Sequence, residues 1–274
     1  MVGTPIGNLE DITLRALRTL READRIACED TRRTLKLLSH FEIRKPLLSC
    51  HEHNEAARAA EIVALIEAGE KVALVSDAGM PTISDPGYRV VKAVIAAELR
   101  VEPIPGPTAV ETALAASGLP SDAYCYRGFL PARSGKRRKE LQAAADQSAT
   151  LVYYEAPHRI VGCLDDLRAT MGERQVVVAR ELTKKHEEFL RGTVSEVLGV
   201  LSSRAEVKGE ITLLVGRADT SSGAIEPNAE SLAARVSELV GEGRSRMDAL
   251  KQAAREAGLH KRDAYSLLEG NAEK

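Results

Sequence analysis

Apolar residues along this chain fall into two patterns that take turns. Short continuous runs at 24–28 (DRIAC), 71–76 (KVALVS) and 100–104 (RVEPI) predict strands. Between them, apolar positions recur every three or four residues and predict helices. One stripe begins with Leu14, Leu17 and Leu20, directly after an opening broken by Gly3, Pro5 and Gly7. Another carries Ala57, Ala60, Ile62, Leu65 and Ile66, with Asn54 placed to cap it and Gly69 to end it. A third runs over 108–117, after a break at Pro103, Pro105, Gly106 and Pro107. A second alternation starts near Tyr124, with strands expected at 150–154 (TLVYY), 175–179 (QVVVA) and 210–215 (EITLLV) and helices near 137–147, 158–171 and 194–202. Alternation of this kind predicts an α/β fold of largely parallel sheets covered by helices. It is read as two consecutive α/β domains, 1–118 and 119–219, joined around 119–122.

The pattern changes after 219. Residues 220–228 (TSSGAIEPN) have the composition of a linker. Beyond them 229–241, 246–257 and 261–268 predict three short helices. Ser245 and Asp248 match a capping box, Gly258 stops the middle helix, and His260 stands at the start of the last, where a serine would cap better. The spacing suits a C-terminal helical module, 229–270, of helix-turn-helix type, or a helical appendage that only packs.

Composition narrows the function. The 274 residues can bury a sizeable core. A net charge of −2 creates no bulk field toward nucleic acid or membrane, so basic clusters matter one by one. Cys28, Cys50, Cys125 and Cys163 are far apart and form no CxxC, which fits a reduced cytoplasmic protein with neither a disulfide framework nor a zinc site. No run approaches the ~18 apolar residues of a membrane span. Aromatic residues make up 3%, which argues against a stacking platform of the RNA-recognition-motif kind.

Three loops carry the candidate chemistry. The first, 2–13 (VGTPIGNLEDIT), is neither GxGxxG nor a P-loop, yet its glycines permit close approach of a ligand to backbone. The second, 76–87 (SDAGMPTISDPG), follows the strand KVALV and carries Asp77 and Asp85 without histidine or cysteine, so no metal is expected there. The third is 103–109 (PIPGPTA). Loops at the carboxyl ends of parallel strands are where open α/β sheets bind ligands. Three of them at one sheet edge predict a pocket.

Together with EDTRR (29–33), SGLPSDAY (117–124), FLPARSGKRR (129–138), YEAPHR (154–159), ARELTKKHEE (179–188) and KGEITLLV (208–215), these loops give the chain a resemblance to the tetrapyrrole-methylase superfamily. The likeness spans nearly the whole length. It is strongest to a branch that methylates small-subunit ribosomal RNA, to which EDTRR, SDAGMP and YEAPHR are specific. It implies two α/β domains with S-adenosylmethionine folded into the cleft between them, and 2′-O-methylation of a cytidine ribose in the decoding region of 16S rRNA. It places Ile6, Ala78, Gly79, Met80, Ile83, Thr108, Ala109, Glu155, Leu182 and Glu210 at the cofactor, and it implies a homodimer acting on the small ribosomal subunit. It also implies a first strand ahead of the opening loop, of which only Met1 and Val2 stand in this sequence. Since a central strand is costly to lose, a start codon upstream of Met1 is the expectation.

Methyl transfer to a ribose hydroxyl needs alignment in a dry cleft and a group that takes the hydroxyl proton. Glu29, Asp30, Glu155, His158, Glu181 and Lys184 are the candidates, with no single base distinguished among them. Arg32, Arg33, Arg159 and Arg180 suit phosphate, as does the basic run of Arg133, Lys136, Arg137, Arg138 and Lys139, read as a flexible loop leading into a helix. The plainer readings stand beside these: ion pairs at a helix start, a capping histidine, a solvated charged face. Two other functions share much of the pattern. A tetrapyrrole C-methyltransferase would use the same cleft but needs a wide apolar trough, and a non-catalytic nucleic-acid-binding protein would rely on the C-terminal module.

Overall fold

The computed structural model describes residues 1–218, 229–241, 243–257, 259, 264 and 266–268. The chain forms two compact units, Met1–Arg217 and Ala218–Lys274. The first unit contains two sheets.

The first sheet holds β1 (Arg25–Cys28), β2 (Leu47–Ser49) and β3 (Val72–Leu74) in the order β2-β1-β3, all parallel. Ile26, Ala27 and Cys28 are fully buried, as a central parallel strand covered on both faces requires. Helix α1 (Leu14–Glu22) covers it with Ala16, Leu17 and Leu20, and Thr13 Oγ1 caps α1 by accepting from Ala16 N at 3.0 Å. Helices α2 (Thr31–His40), α3 (Glu55–Glu67) and α4 (Tyr88–Ala96) complete the cover. Asn54 precedes α3 but does not cap it. Its amide is turned back on the preceding loop, where Oδ1 accepts from His51 N at 2.8 Å and Nδ2 donates to Ser49 O.

The strand expected at 100–104 reduces to a single bridge. Val2 N donates to Leu74 O at 2.9 Å, Ile104 N to Met1 O at 2.8 Å and Gly3 N to Ile104 O at 3.0 Å. Met1 and Val2 thus lie between β3 and Ile104. Met1, Val2, α1 and β3 border a cavity of about 400 Å3 on this side of the sheet.

The second sheet is mixed, which corrects the expectation of parallel sheets throughout. It holds β4 (Tyr124–Phe129), β5 (Thr150–Glu155), β6 (Gln175–Arg180), β7 (Glu188–Thr193) and β8 (Ile211–Val215) in the order β4-β5-β8-β6-β7. Of its paired neighbours only β4 and β5 are parallel, because β7 and β8 run opposite to β4, β5 and β6. For β7 the reason is the connection 181–187, too short for a crossover helix, which returns the chain beside β6 as an antiparallel partner. One face packs on α6 (Ser134–Ala143), α7 (Ile160–Met171) and α8 (Val194–Ser202) around Leu141, Leu151, Tyr153, Leu164, Leu167, Val197 and Leu213. Thr193 and Glu196 form a reciprocal capping box at the start of α8. The other face receives α5 (Ala109–Ser117), whose Val110, Ala113 and Leu114 meet Val152, Val177, Ala179 and Leu214. A helix that follows the first sheet in sequence therefore packs on the second.

The C-terminal unit contains α9 (Ala229–Gly241) and α10 (Arg246–Glu256), joined through Leu232, Val236, Leu239, Ala249, Leu250, Ala253 and Ala254. Ser245 Oγ accepts from Asp248 N at 3.2 Å and so caps α10. The expected linker at 220–228, together with Gly258, His260 and most of the helix expected at 261–268, lies outside the described residues. No helix among the described residues is long and apolar enough to cross a membrane.

Candidate active site

The opening loop is stitched to three others. Thr4 exchanges backbone hydrogen bonds with Gly79, at 2.9 and 3.0 Å, and its hydroxyl donates to Ser76 O at 3.2 Å. Gly3 lies against the third loop so closely that a Cβ there would sit 2.7 Å from Gly106 Cα and 2.8 Å from Met80 Sδ. A Cβ on Gly7 would sit 2.7 Å from Leu182 O, in the segment after β6. Glycine at these places is what lets the four segments close on one another.

The second loop is held in unusual backbone. Thr82 (φ 77°) and Ser84 (φ 60°) occupy the left-handed region without being glycine. Two anchors maintain this. Buried Glu55 accepts from Gly87 N at 2.9 Å and Arg89 N at 2.7 Å, a carboxylate set at the N-terminus of α4. On the other side Ser84 Oγ hydrogen-bonds Tyr126 Oη of β4, joining the loop to the second sheet.

These loops enclose a cavity of about 390 Å3. Its wall includes Ile6, Ala78, Gly79, Met80, Ile83, Thr108, Ala109, Glu155, Leu182 and Glu210, all ten positions at which the resemblance places the cofactor. Ser84, Asp85, Phe129, Tyr154, Ala156, Pro157, Gly209, Ile211 and Thr212 complete it. Thr108 Oγ1 also caps α5, accepting from Glu111 N at 3.2 Å, so the third loop enters the cavity beside a helix N-terminus. Gly79 (φ 81°) leaves its backbone open toward the cavity, where a Cβ would come no nearer than 3.5 Å to Ile6. A wall of mixed apolar side chains and exposed backbone, with this volume, suits a ligand of nucleoside size. Phe129, 58% exposed, stands at the rim, edge-on to Tyr154, which is in turn edge-on to Tyr126. The scarcity of aromatic residues in the composition concealed this local cluster.

The candidate catalytic residues divide. Glu155, at the end of β5, is buried and accepts from Ala156 N at 2.8 Å and from Arg159 Nε at 2.7 Å. Glu181 (φ 52°) accepts from Lys184 Nζ and from Glu210 N, both at 2.9 Å, and the Lys184 bond holds its carboxyl below the usual range. Burial works against the charge on Lys184, but Glu181 and Glu210, the latter also at 2.9 Å, outweigh it and leave its pKa raised. Of the six candidates only Glu155 lines the cavity; Glu181 and Lys184 stand behind Leu182 and Glu210, and Glu29, Asp30 and His158 are not part of the wall. His158 is exposed, next to Pro157. Asp30 caps α2 by accepting from Arg32 N at 2.8 Å, and its own N–H donates to Asp77 Oδ1 at 3.1 Å. Burial, then the nearby Asp77, raises the pKa of Glu29.

The candidate phosphate ligands divide as well. Arg32 is 88% exposed on its side chain, and Arg33 is exposed while paired with Asp77 at 3.4 Å. The run 133–139 is not a loop but mostly the first turns of α6. Arg133, Lys136 and Lys139 point to solvent. Arg137 does not. Its side chain is 7% exposed and bonds Asp166 (Nε to Oδ2, 2.8 Å), Ala132 O and Gly162 O, because α6 turns that position onto α7. Arg138 is half exposed with Nε on Asp166 Oδ1 at 2.6 Å. Arg159 is held by Glu155, and Arg180 by Glu188 and Lys208 O.

Two sheets meeting over a glycine-built cleft define an α/β enzyme of the methylase type, and the chain belongs to the tetrapyrrole (corrin/porphyrin) methylases, whose family profile matches residues 1–198. Within that family it groups with proteins named ribosomal RNA small subunit methyltransferase I. It is 46% identical over 272 residues to the one from Halalkalibacterium halodurans, covering 97% of this chain and 93% of the relative. It is 48% identical over 215 residues to that of Thermotoga maritima, covering 78% and 96%. The fold is shared with uroporphyrin-III C-methyltransferase from Thermus thermophilus complexed with S-adenyl homocysteine, with a TM-score of 0.55 at 19% identity over 78% of this chain and 95% of that one. It is shared too with diphthine synthase, with a TM-score of 0.61 at 14% identity over 78% and 88%.

Proposed function

We propose that this protein transfers a methyl group from S-adenosylmethionine to small-subunit ribosomal RNA, at the 2′-oxygen of a cytidine ribose in the decoding region of 16S rRNA. The observation that carries the reading is the convergence of four loop segments on one cavity whose wall includes every position the family likeness gives to the cofactor. The rRNA substrate rests on the names of relatives 42–50% identical to this chain.

S-adenosylmethionine supplies, when bound, an electrophilic methyl group on a sulfonium sulfur. The chain's part is to hold, align and dry the site. Ile6, Met80, Ile83 and Leu182 shed water from the cavity, while the backbone around Gly79 and the Thr108–Ala109 turn offer polar groups to the ligand. Phe129 offers a face for the base of the target nucleotide, since RNA chemistry on one residue is helped by unstacking it from its neighbours. Arg32, Arg33, Arg133, Lys136, Lys139 and the exposed part of Arg138 supply phosphate contacts. Glu155 is braced by Arg159 at the wall, and Lys184 ties Glu181 to the wall residue Glu210 from behind.

In this reading the protein works in the cytoplasm as a homodimer. The chain divides into a first α/β domain to 118, a second to 219, and a C-terminal helical module that adds RNA contacts. The test is transfer of labelled methyl to small subunits lacking the modification, with free uroporphyrinogen as the competing substrate and mass spectrometry to place the label. Label on a cytidine ribose supports the proposal; label in the porphyrin alone replaces it with a tetrapyrrole methyltransferase.

A further inference from the structure

Three carboxyl side chains reach the cavity wall: Asp85, Glu155 and Glu210. Two are already paired with a cation. Glu155 Oε1 is held by Arg159 and Ala156 N while its Oε2 is buried without a partner, and Glu210 is held by Lys184. Asp85 forms no hydrogen bond or ion pair with any described residue, although it is half-buried. It follows Ser84, whose hydroxyl ties the second loop to Tyr126, so the residue is placed in the cavity wall where that loop meets the second sheet. The groups that face it are acidic or phenolic. Glu29 and Asp77 come from the ends of the first-sheet strands, with Arg33 drawn onto Asp77 and His51 near Glu29, and Tyr126 and Tyr154 come from the second sheet.

We propose that Asp85 is the group that takes the proton from the substrate hydroxyl during methyl transfer. The proposal rests on the methyl-transfer reading above. The hydroxyl oxygen forms its new bond to the methyl carbon, the O–H bond breaks with the proton passing to a carboxylate oxygen of Asp85, and the carbon–sulfur electron pair stays on sulfur as a neutral thioether. A positive and a negative charge vanish together, so a partly dry cleft favours the step rather than opposing it. Burial first, then the charges of Glu29 and Asp77, push the pKa of Asp85 up to about 7, which makes it a stronger base than an ordinary carboxylate and suits it to keep the proton. The alternatives are weaker on geometry. Lys184 is a cation with two carboxylate partners and has no free pair, and His158 lies off the wall.

Asp85→Asn should bind S-adenosylhomocysteine in calorimetry as the parent does. Its single-turnover methyl transfer should fall by about 10²–10⁴-fold, the usual worth of a general base, and lose the rise of rate with pH around 7. Asp85→Ala should recover rate on addition of formate, which a merely structural role would not allow. The unmodified protein without ligand gives a readout that needs no turnover: carboxyl carbon NMR should show Asp85 titrating near 7. Titration of Asp85 near 4, or an Asp85→Asn protein with the parental rate and pH profile, overturns the assignment. A parent protein that binds no S-adenosylhomocysteine overturns the methyl-transfer reading and this proposal with it.

Discussion

Arg137 and Lys136 are adjacent cations that the structure puts to opposite uses. Lys136 faces water, while Arg137 is buried on Asp166, which also accepts from Arg138 and Ser134. Burial pushes the Asp166 carboxyl up, but these bonds outweigh it and hold it below its ordinary value. Arg137→Ala leaves Asp166 with Arg138 and Ser134 but empties a buried site and loses the bonds to Asp166 Oδ2, Ala132 O and Gly162 O, so it should cost about 1–3 kcal/mol in urea unfolding. Lys136→Ala should leave stability within about 0.5 kcal/mol and instead weaken binding to small subunits, lowering the salt slope by roughly one. Gly3→Ala drives a methyl into Gly106 and should destabilise by about 1–3 kcal/mol while weakening cofactor affinity in the same calorimetry. The residue types alone announced a basic run and a glycine turn. Which cation turns inward depends on where α6 meets α7, and that is not written in residues 133–139. Asp85 shows the same limit: its motif was visible, but its lack of a partner and its acidic neighbours arise only when residues 29, 77 and 85 are brought together.

Among elements, the β6–β7 hairpin and the end of α8 share one carboxylate. Glu188 on β7 accepts from Arg204 at 2.6 and 2.8 Å and from Arg180 on β6 at 3.0 Å. Arg204, then Arg180, bring its pKa down to about 2. A depressed carboxyl contributes stability above its ordinary value near 4.5, and that contribution is lost as pH falls toward 2. Glu188→Gln should therefore lower the urea midpoint at pH 7, and the gap to the parent should close between pH 4.5 and pH 2. Strand β7 itself escaped the sequence pattern, because EFLRGT is half-exposed at a sheet edge and lacks a continuous apolar run. The same holds for β4, and β2 is only three residues long. The buried strands β1, β3, β5, β6 and β8 were legible, since burial on both faces demands the run of apolar residues that reveals them.

For the molecule as a whole, α5 decides how the first unit behaves. By packing on Val152, Val177 and Leu214 it makes the two sheets one body, which is why residues 1–217 cohere. A chain ending at Arg217 should fold with an unchanged midpoint for its main transition and should bind S-adenosylhomocysteine normally, while its affinity for small subunits falls. Loss of cofactor binding in the shortened chain would show that the C-terminal unit supports the cleft.

The packing of Gly7 against Leu182 sets a timetable for biosynthesis. The opening loop finds one of its resting places only after more than 170 further residues have been made, on the order of ten seconds or more at ordinary elongation speed. Until then the amino-terminal segment and the apolar ends of its strands remain open to chaperones. The ligand cradle is in consequence among the last parts of the nascent polypeptide to close.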